Sequence, residues 1–356
     1  MKTLFLKRRL FPAAAPAAPA VTAAWLMLAA LAGIVFSCST GEAIEQILGG
    51  SSSAPVFLSC KAVSSTEIDF QFSGDVRVLS LNFSPALEAE ALNEGSLVRV
   101  NLAKAAGEGE RLTADLLVED AHGNTLNVLV PLRTRNDRMP PFLINELRTE
   151  HSKPRTEFIE IKTGGPGNLG ALRLFIAGNT KQPLIYEFPP VEVKKGEYIV
   201  IHLRNIEEGT VNETGIDLGL SGGADAQGDA RDFWIPGASK LLHKTDAVYF
   251  LDQDDRVIDG VMLSENPDPS WNKDHFTRAA EFLYQQGAWT QARREGAIPG
   301  PQDAVGTAGI KNAITRSVSR DETAADTNTA ADWYITANSG ATPGKPNSLK
   351  RFEAAR

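Results

Sequence analysis

The chain has 356 residues, enough for two or three domains with sizeable hydrophobic cores, and 42% of its residues are hydrophobic. Its 36 Lys and Arg and 44 Asp and Glu give a formal net charge of −8. An acidic protein has no general attraction for nucleic-acid phosphates or an anionic bilayer, and the sequence has no long basic run. This balance predicts a folded protein that does not bind nucleic acid.

Residues 1–37 have the layout of a secretory signal peptide. Four basic residues lie within residues 2–9, and residues 21–36 form an uncharged apolar run. The run is shorter than the roughly 20 residues that a membrane-spanning helix needs. A basic start followed by a short apolar run is typical of export signals. We therefore expect an exported protein.

The junction Ser37-Cys38 resembles the bacterial lipoprotein signal, in which a cysteine becomes lipid-modified after cleavage. Phe36 departs from the small residue usual at its position, a looseness that spirochaete lipoproteins tolerate. The resemblance implies that Cys38 carries lipid, that residues 38–54 form a polar tether, and that several acyl chains hold the protein on a membrane. The expected location is the periplasmic face or the cell surface. The alternatives are an ordinary cleaved signal or an uncleaved anchor with a chance cysteine.

Residues 55–138 predict a small all-β domain. Alternating apolar runs separated by Gly and Asn turn signals are typical of a β-sandwich. The turn Asp120–Asn124, which follows the strand-like run 114–119, resembles the penultimate hairpin of bacterial Ig-like domains and implies that fold. Cys60 is expected to be buried in a strand as a small hydrophobic residue. The predicted strands are 56–60, 67–72, 76–83, 97–102, 111–119 and 125–132.

Residues 139–348 predict a second β-domain that opens with a hairpin. Two alternating runs, 142–147 and 157–161, flank a polar turn at 151–154. A long polar excursion is predicted at 204–232. The further predicted strands are 169–176, 184–188, 197–203, 247–251 and 256–263.

The order of segments in this second domain resembles the lamin-tail domain. The segments that carry the resemblance are Ile144–Leu147, Glu157–Ile161, Lys195–Ile201, Val248–Asp259 and a closing signature made of Ala313–Ser317, Asp326–Asn328, Asp332–Trp333 and Ala341–Asn347. The resemblance implies an Ig-like β-sandwich, found on exported and surface proteins of bacteria, that serves as an interaction or tethering module. It brings no family-wide catalytic residues. Residues 349–356 are then a tail.

Residues 267–301 depart from the lamin-tail pattern and predict a helical insertion. Residues 274–286 place apolar side chains on one helical face, and Gly287 is the stop signal. We expect this helix to pack over an edge of the sandwich. The alternative is a partner-binding surface, because aromatic residues are favoured as contact anchors. The candidate anchors are Trp271, Phe282 and Trp289.

The sequence contains no motif for catalysis or for a cofactor. Its five histidines are scattered, and no spacing typical of a metalloprotease or a serine nucleophile occurs. The candidate cation ligands are the carboxylates of Glu146, Glu160, Asp252 and Asp254. Asp252–Asp255 lacks the glycine and glutamate of a calcium loop, which favours a hairpin turn. The two glutamates are expected to face solvent from their strands.

The sequence therefore predicts a non-enzymatic, membrane-anchored lipoprotein built from two tandem Ig-like β-sandwiches, the second lamin-tail-like. Such a protein would serve the cell envelope as an interaction or structural module. Its partner would be a protein or another envelope macromolecule. The alternative is a metal-assisted hydrolase, or a calcium-dependent adhesin, that uses carboxylates of the second domain.

Overall fold

The computed structural model describes residues 54–150, 152–292, 296–310 and 315–353, so the predicted signal peptide and Cys38 lie outside the described residues. Within these ranges the chain forms twenty strands, arranged in five sheets, and one α-helix. The predicted all-β class is therefore confirmed. That helix is too short and too polar to cross a membrane, and no other helix in the described ranges qualifies.

The first seven strands form two sheets around one hydrophobic core. In chain order they are β1 (Phe57–Ser64), β2 (Glu67–Phe72), β3 (Val76–Ser84), β4 (Ala89–Glu94), β5 (Leu97–Leu102), β6 (Arg111–Asp120) and β7 (Thr125–Arg133). The two sheets have the orders β1-β2-β5-β4 and β3-β6-β7. Every second residue of β2, β5 and β6 is buried, because successive side chains of a strand point to opposite faces. Both sheets contribute to this core, through Phe70 and Val98 from one and Leu116 from the other.

The remaining strands form two larger sheets around a second core. In chain order they are β8 (Phe142–Arg148), β9 (Phe158–Thr163), β10 (Gly167–Asn168), β11 (Arg173–Ile176), β12 (Leu184–Glu187), β13 (Glu192–Val193), β14 (Tyr198–His202), β15 (Arg231–Trp234), β16 (Asp246–Leu251), β17 (Val257–Ser264), β18 (Val305–Gly306), β19 (Val318–Arg320) and β20 (Trp333–Ile335). The six-stranded sheet has the order β15-β14-β9-β8-β19-β20. The five-stranded sheet has the order β12-β11-β16-β17-β18, and β10 pairs with β13. Ile161 and Ile201 from the first sheet and Phe250 from the second lie in the shared core.

Both edges of the six-stranded sheet are covered by other parts of the chain. On β15, the backbone N–H of Asp232 donates to the carboxylate of Glu213 at 2.9 Å, and the N–H of Glu213 donates back to the carbonyl of Asp232 at 3.0 Å. On β20, the carbonyl of Ile335 accepts from the N–H of Phe352 at 2.8 Å. The sheet therefore ends against segments of its own chain on both sides.

A charged junction joins the two cores. Asp254, in the turn between β16 and β17, accepts from Arg135 Nη2 at 2.7 Å and from Lys61 Nζ at 2.8 Å. These two cations hold the pKa of the Asp254 carboxyl well below its ordinary value. Gly109 lies against Gly170 with φ +64°, and a Cβ built on Gly109 would stand 2.3 Å from the backbone carbon of Gly170. The junction therefore depends on glycine as well as on charge.

The helix α1 (Asp274–Gln285) confirms the helix predicted within the insertion. The predicted apolar face is the buried one, and α1 packs against β16 and β17. Gly287 follows its end with φ +73°, a conformation that favours glycine. The insertion thus adds an apolar layer to the second core. The buried residues of α1 are Phe276, Ala279, Ala280 and Leu283.

Trp289 does not lie on a surface where it could anchor a partner, so that expectation is wrong. Its side chain is 1% exposed, and its indole N–H donates to the carbonyl of Asp303 at 3.1 Å. The chain after α1 turns back against the core, which explains the burial. Trp271 and Phe282 are half-buried, and the ring of Phe282 meets that of Tyr249 edge-on at 5.7 Å between centroids.

Alanine substitutions of Trp289 and Phe282 test which of the two side chains belongs to the hydrophobic core. We expect Trp289→Ala to lower the free energy of unfolding by about 3–5 kcal/mol, because it leaves a large cavity. We expect Phe282→Ala to lower it by about 1–2 kcal/mol, since that ring is half-buried. Urea denaturation followed by circular dichroism measures both losses. A smaller loss for Trp289→Ala than for Phe282→Ala would contradict the core assignment.

Candidate functional site

A β-bulge at Asn145 places two glutamates opposite each other on neighbouring strands. β8 and β9 pair Ile144 with Ile161 and Glu146 with Glu160, and the register shifts between the two pairs. Without the extra residue, Ile144 and Glu146 would point to the same face of the sheet. With it, the two isoleucines enter the core and the two glutamates share the opposite face.

Both glutamates are buried, so the expectation that they face solvent is wrong. Glu146 and Glu160 are each 0% exposed. The physical reason is that residues 339–347 lie over this face of the sheet and bond to both side chains. A carboxylate removed from water in this way needs hydrogen-bond donors or a proton.

The carboxylate of Glu146 is surrounded by donors from the closing part of the chain. It accepts from the hydroxyls of Ser317 at 2.5 Å and Ser319 at 3.0 Å. It also accepts from the backbone N–H of Thr342 at 2.9 Å and from the Thr342 hydroxyl at 3.3 Å. Burial raises the pKa of Glu146, while these donors oppose the rise by stabilising the charged form.

Glu160 has fewer donors than Glu146. Its carboxylate accepts from the side-chain amide of Asn145 at 2.8 Å and from the backbone N–H of Gly344 at 2.5 Å. Burial, followed by the neighbouring charge of Glu146, raises the pKa of Glu160 well above its ordinary value. Glu160 is therefore the member of the pair that holds a proton more readily.

Chemically, the pair can hold a proton and fix the backbone of the segment that covers it. Two neighbouring carboxyl groups with shifted pKa values are also a pattern found at catalytic sites. Here the chain's own donors, among them Ser317, Thr342 and Gly344, occupy the carboxylate oxygens. No group of three or more His, Cys, Asp or Glu side chains that could hold a metal ion is found in the described ranges.

Buried ion pairs stand on the same sheet and in the segments next to it. Arg204 donates to both carboxylate oxygens of Glu157, at 2.5 and 2.6 Å, and His202 Nε2 lies 2.7 Å from Asp232. Sequence reasoning missed these pairs because the partners are 30 or more positions apart and follow no fixed spacing. Further such pairs are Arg231 with Glu197, Arg320 with Asp259 and Arg148 with Asp225.

The other two candidate cation ligands lie in a different place, the turn after β16. Asp252 Oδ1 accepts from the backbone N–H groups of Asp254 at 2.8 Å and Arg256 at 3.0 Å, so the predicted hairpin turn is confirmed. The Asp254 carboxylate belongs to the junction between the cores.

Cys60, near that junction, is half-buried, and burial raises the pKa of its thiol to about 12.

Glu160→Gln tests the buried pair through the pH dependence of stability. The raised pKa means that Glu160 binds a proton more tightly in the folded protein than in the unfolded chain. Its contribution to stability is therefore complete at pH values below its pKa in the unfolded chain. That contribution is lost as the pH rises through its pKa in the folded protein. We expect the variant to lose less free energy of unfolding than the wild type as the pH rises above about 4.3, the ordinary pKa of a glutamic acid.

The measurement is urea denaturation at several pH values. Glu88→Gln serves as the control, because it makes the same Glu-to-Gln change at an exposed position. A pH dependence in Glu160→Gln equal to that of the wild type would contradict the assignment of the proton.

Comparison with known proteins places the second part of the chain among relatives. An "Uncharacterized protein" of Treponema pallidum (strain Nichols) is 24% identical over 189 residues, which cover 51% of this chain and 48% of the relative. The chain thus matches about half the length of that curated relative. The family model TP_1001_2nd, described as a protein second domain, matches residues 140–335. Since this match spans more than half of the 356 residues, the chain belongs to the TP_1001_2nd family.

Proposed function

We propose that the chain is a non-enzymatic, lipid-anchored interaction module of the cell envelope. The observation that carries this proposal is the internal use of the buried charges on the six-stranded sheet. Glu146 and Glu160 bond to the segment 339–347, and Glu157 bonds to Arg204 at the start of the long segment that precedes β15. These contacts fix the two segments to the six-stranded sheet. Proteins often present binding loops on a rigid scaffold in this way.

We further propose that the two cores belong to tandem Ig-like sandwiches, the second lamin-tail-like. Two sheets contribute to each core, as such a sandwich requires. The segments that carry the lamin-tail resemblance include an opening hairpin and a closing segment, and these two are in contact. The side-chain amide of Asn347 donates to the carbonyl of Asn145 at 3.0 Å, and Thr342 and Gly344 bond to the hairpin glutamates.

A second candidate is a metal-assisted hydrolase or a calcium-dependent adhesin. The observation in its favour is the carboxyl pair of Glu146 and Glu160, whose pKa values are raised by burial. For a cation to bind there, it would have to displace hydrogen-bond donors such as Thr342 and Gly344. Because a cation would lose this competition unless it bound tightly, we prefer the interaction module to a cation-dependent function.

Lipid attachment is tested at the cysteine itself. We expect Cys38→Ser to move the protein from the membrane fraction to the soluble fraction and to change its electrophoretic mobility, because the acyl chains provide the attachment. Cys60→Ser is the matched control and should leave both properties unchanged. Membrane retention of Cys38→Ser with unaltered mobility would contradict the anchor.

The choice between the two candidates is tested with divalent cations. A cation that binds the folded state raises its melting temperature. Since the interaction module has no cation site, we expect Ca²⁺, Mg²⁺ and Mn²⁺ each to leave the melting temperature of the purified protein unchanged. The parallel variants are Glu160→Gln and Asp254→Ala. A rise in melting temperature that either variant abolishes would favour the hydrolase or the adhesin.

A further inference from the structure

A cleft lies where the turn between β8 and β9 meets the closing segment of the chain. Its volume is ≈ 370 Å³, and Thr342 and Lys345 line one of its sides. A neighbouring cavity of ≈ 330 Å³ shares Arg155, Ala224 and Thr315 with the cleft, so the two lie side by side. Each volume is large enough to hold a small charged group.

The lining of this space is positively charged on a protein that is negative as a whole. Its described residues include four cations and one carboxylate, that of Asp225. The side chains of Lys153 and Lys345 form no ion pair with any described residue. Concentrated charge in a cleft attracts ligands of the opposite sign. The cations are Arg148, Lys153, Arg155 and Lys345.

The innermost cation is fixed in place. The side chain of Arg148 is 2% exposed, and its guanidinium lies 4.8 Å from the centre of the Phe158 ring. It donates to the carbonyl of Thr156 and to Asp225. Arg155 Nε approaches the other oxygen of Asp225 at 3.4 Å. One carboxylate therefore pairs with two guanidinium groups. Since each guanidinium has five N–H donors, the two groups together have more donors than Asp225 can accept.

The lysine on the opposite side is carried by a segment that the glutamate pair holds. Lys345 follows Gly344, whose N–H bonds to Glu160, and Thr342 bonds to Glu146. The cleft is thus built between two segments whose separation is set by buried hydrogen bonds. Such preorganisation lowers the entropy lost when a ligand binds.

We propose that this cleft binds a phosphate-bearing group. Guanidinium and ammonium groups together with hydroxyls, here those of Thr315 and Ser339, are the donors that bind phosphate oxygens. The excess of cations over Asp225 matches a dianion better than the single charge of a carboxylate ligand. This site is independent of the lipid anchor and adds a ligand class to the proposed envelope role.

Calorimetric titration of the full chain in detergent with inorganic phosphate tests the proposal, with acetate as the carboxylate control. We expect saturable binding of phosphate and weaker binding of acetate. The double variant Arg155→Gln/Lys345→Gln should bind phosphate about ten-fold more weakly, the effect of losing charge-assisted hydrogen bonds. The double variant Lys195→Gln/Lys350→Gln removes the same charge at exposed lysines outside the cleft and should bind as the wild type does.

Vesicles of phosphatidylcholine with phosphatidic acid distinguish a lipid headgroup from a free phosphate when every variant also carries Cys38→Ser, because an acylated protein would stay on the vesicle whatever its cleft binds. Weaker vesicle binding by the cleft variant would identify the headgroup as the source. Unchanged vesicle binding with weaker phosphate binding would identify a soluble phosphate. The proposal is overturned by an absence of saturable phosphate binding, by equal binding of acetate, or by an equal loss in the control variant. Matching melting temperatures show that both variants are folded.

Discussion

The second part of the structure depends on the need to satisfy two carboxyl groups that have been removed from water. Glu146 and Glu160 lie directly opposite each other, where like charges repel unless donors or a proton compensate. The donors come from residues such as Ser317 and Thr342, which are 171 and 196 positions beyond Glu146. This requirement draws the closing segment of the chain onto the hairpin that opens the domain.

The elements predicted correctly are those whose signal is local. The hairpin 142–161, the turn at Asp252 and the helix α1 each show their own periodicity or turn chemistry. Several strands carried no such signal, and β4 and β15 are two examples. β4 has the sequence Ala-Glu-Ala-Leu-Asn-Glu, which suits a helix as well as a strand, and it is held by pairing with β5. β15 includes two buried charged residues and therefore reads as part of a polar excursion.

The candidate site was predictable only in part, because its signal is only partly local. The alternation of apolar and polar residues shows which residues share a face of a strand, yet it does not show what covers that face. Glu146 and Glu160 were identified as candidates, but their burial follows from contacts with a segment almost 200 positions away. A single bulge residue, Asn145, also decides which face Glu146 occupies, and bulges have no reliable sequence signal. The cationic cleft combines Arg155 with Lys345, which no spacing rule connects.

The covered edges of the six-stranded sheet have a consequence for association between molecules. An uncovered edge strand presents a row of backbone donors and acceptors to which a strand of another molecule can add. Here Glu213 occupies these groups on β15, and the chain near Phe352 occupies them on β20. Many copies held side by side on a surface would therefore resist lateral strand exchange through this sheet. At these two edges, contacts with another molecule would have to use side chains and loops, which discriminate between partners better than a bare backbone edge does.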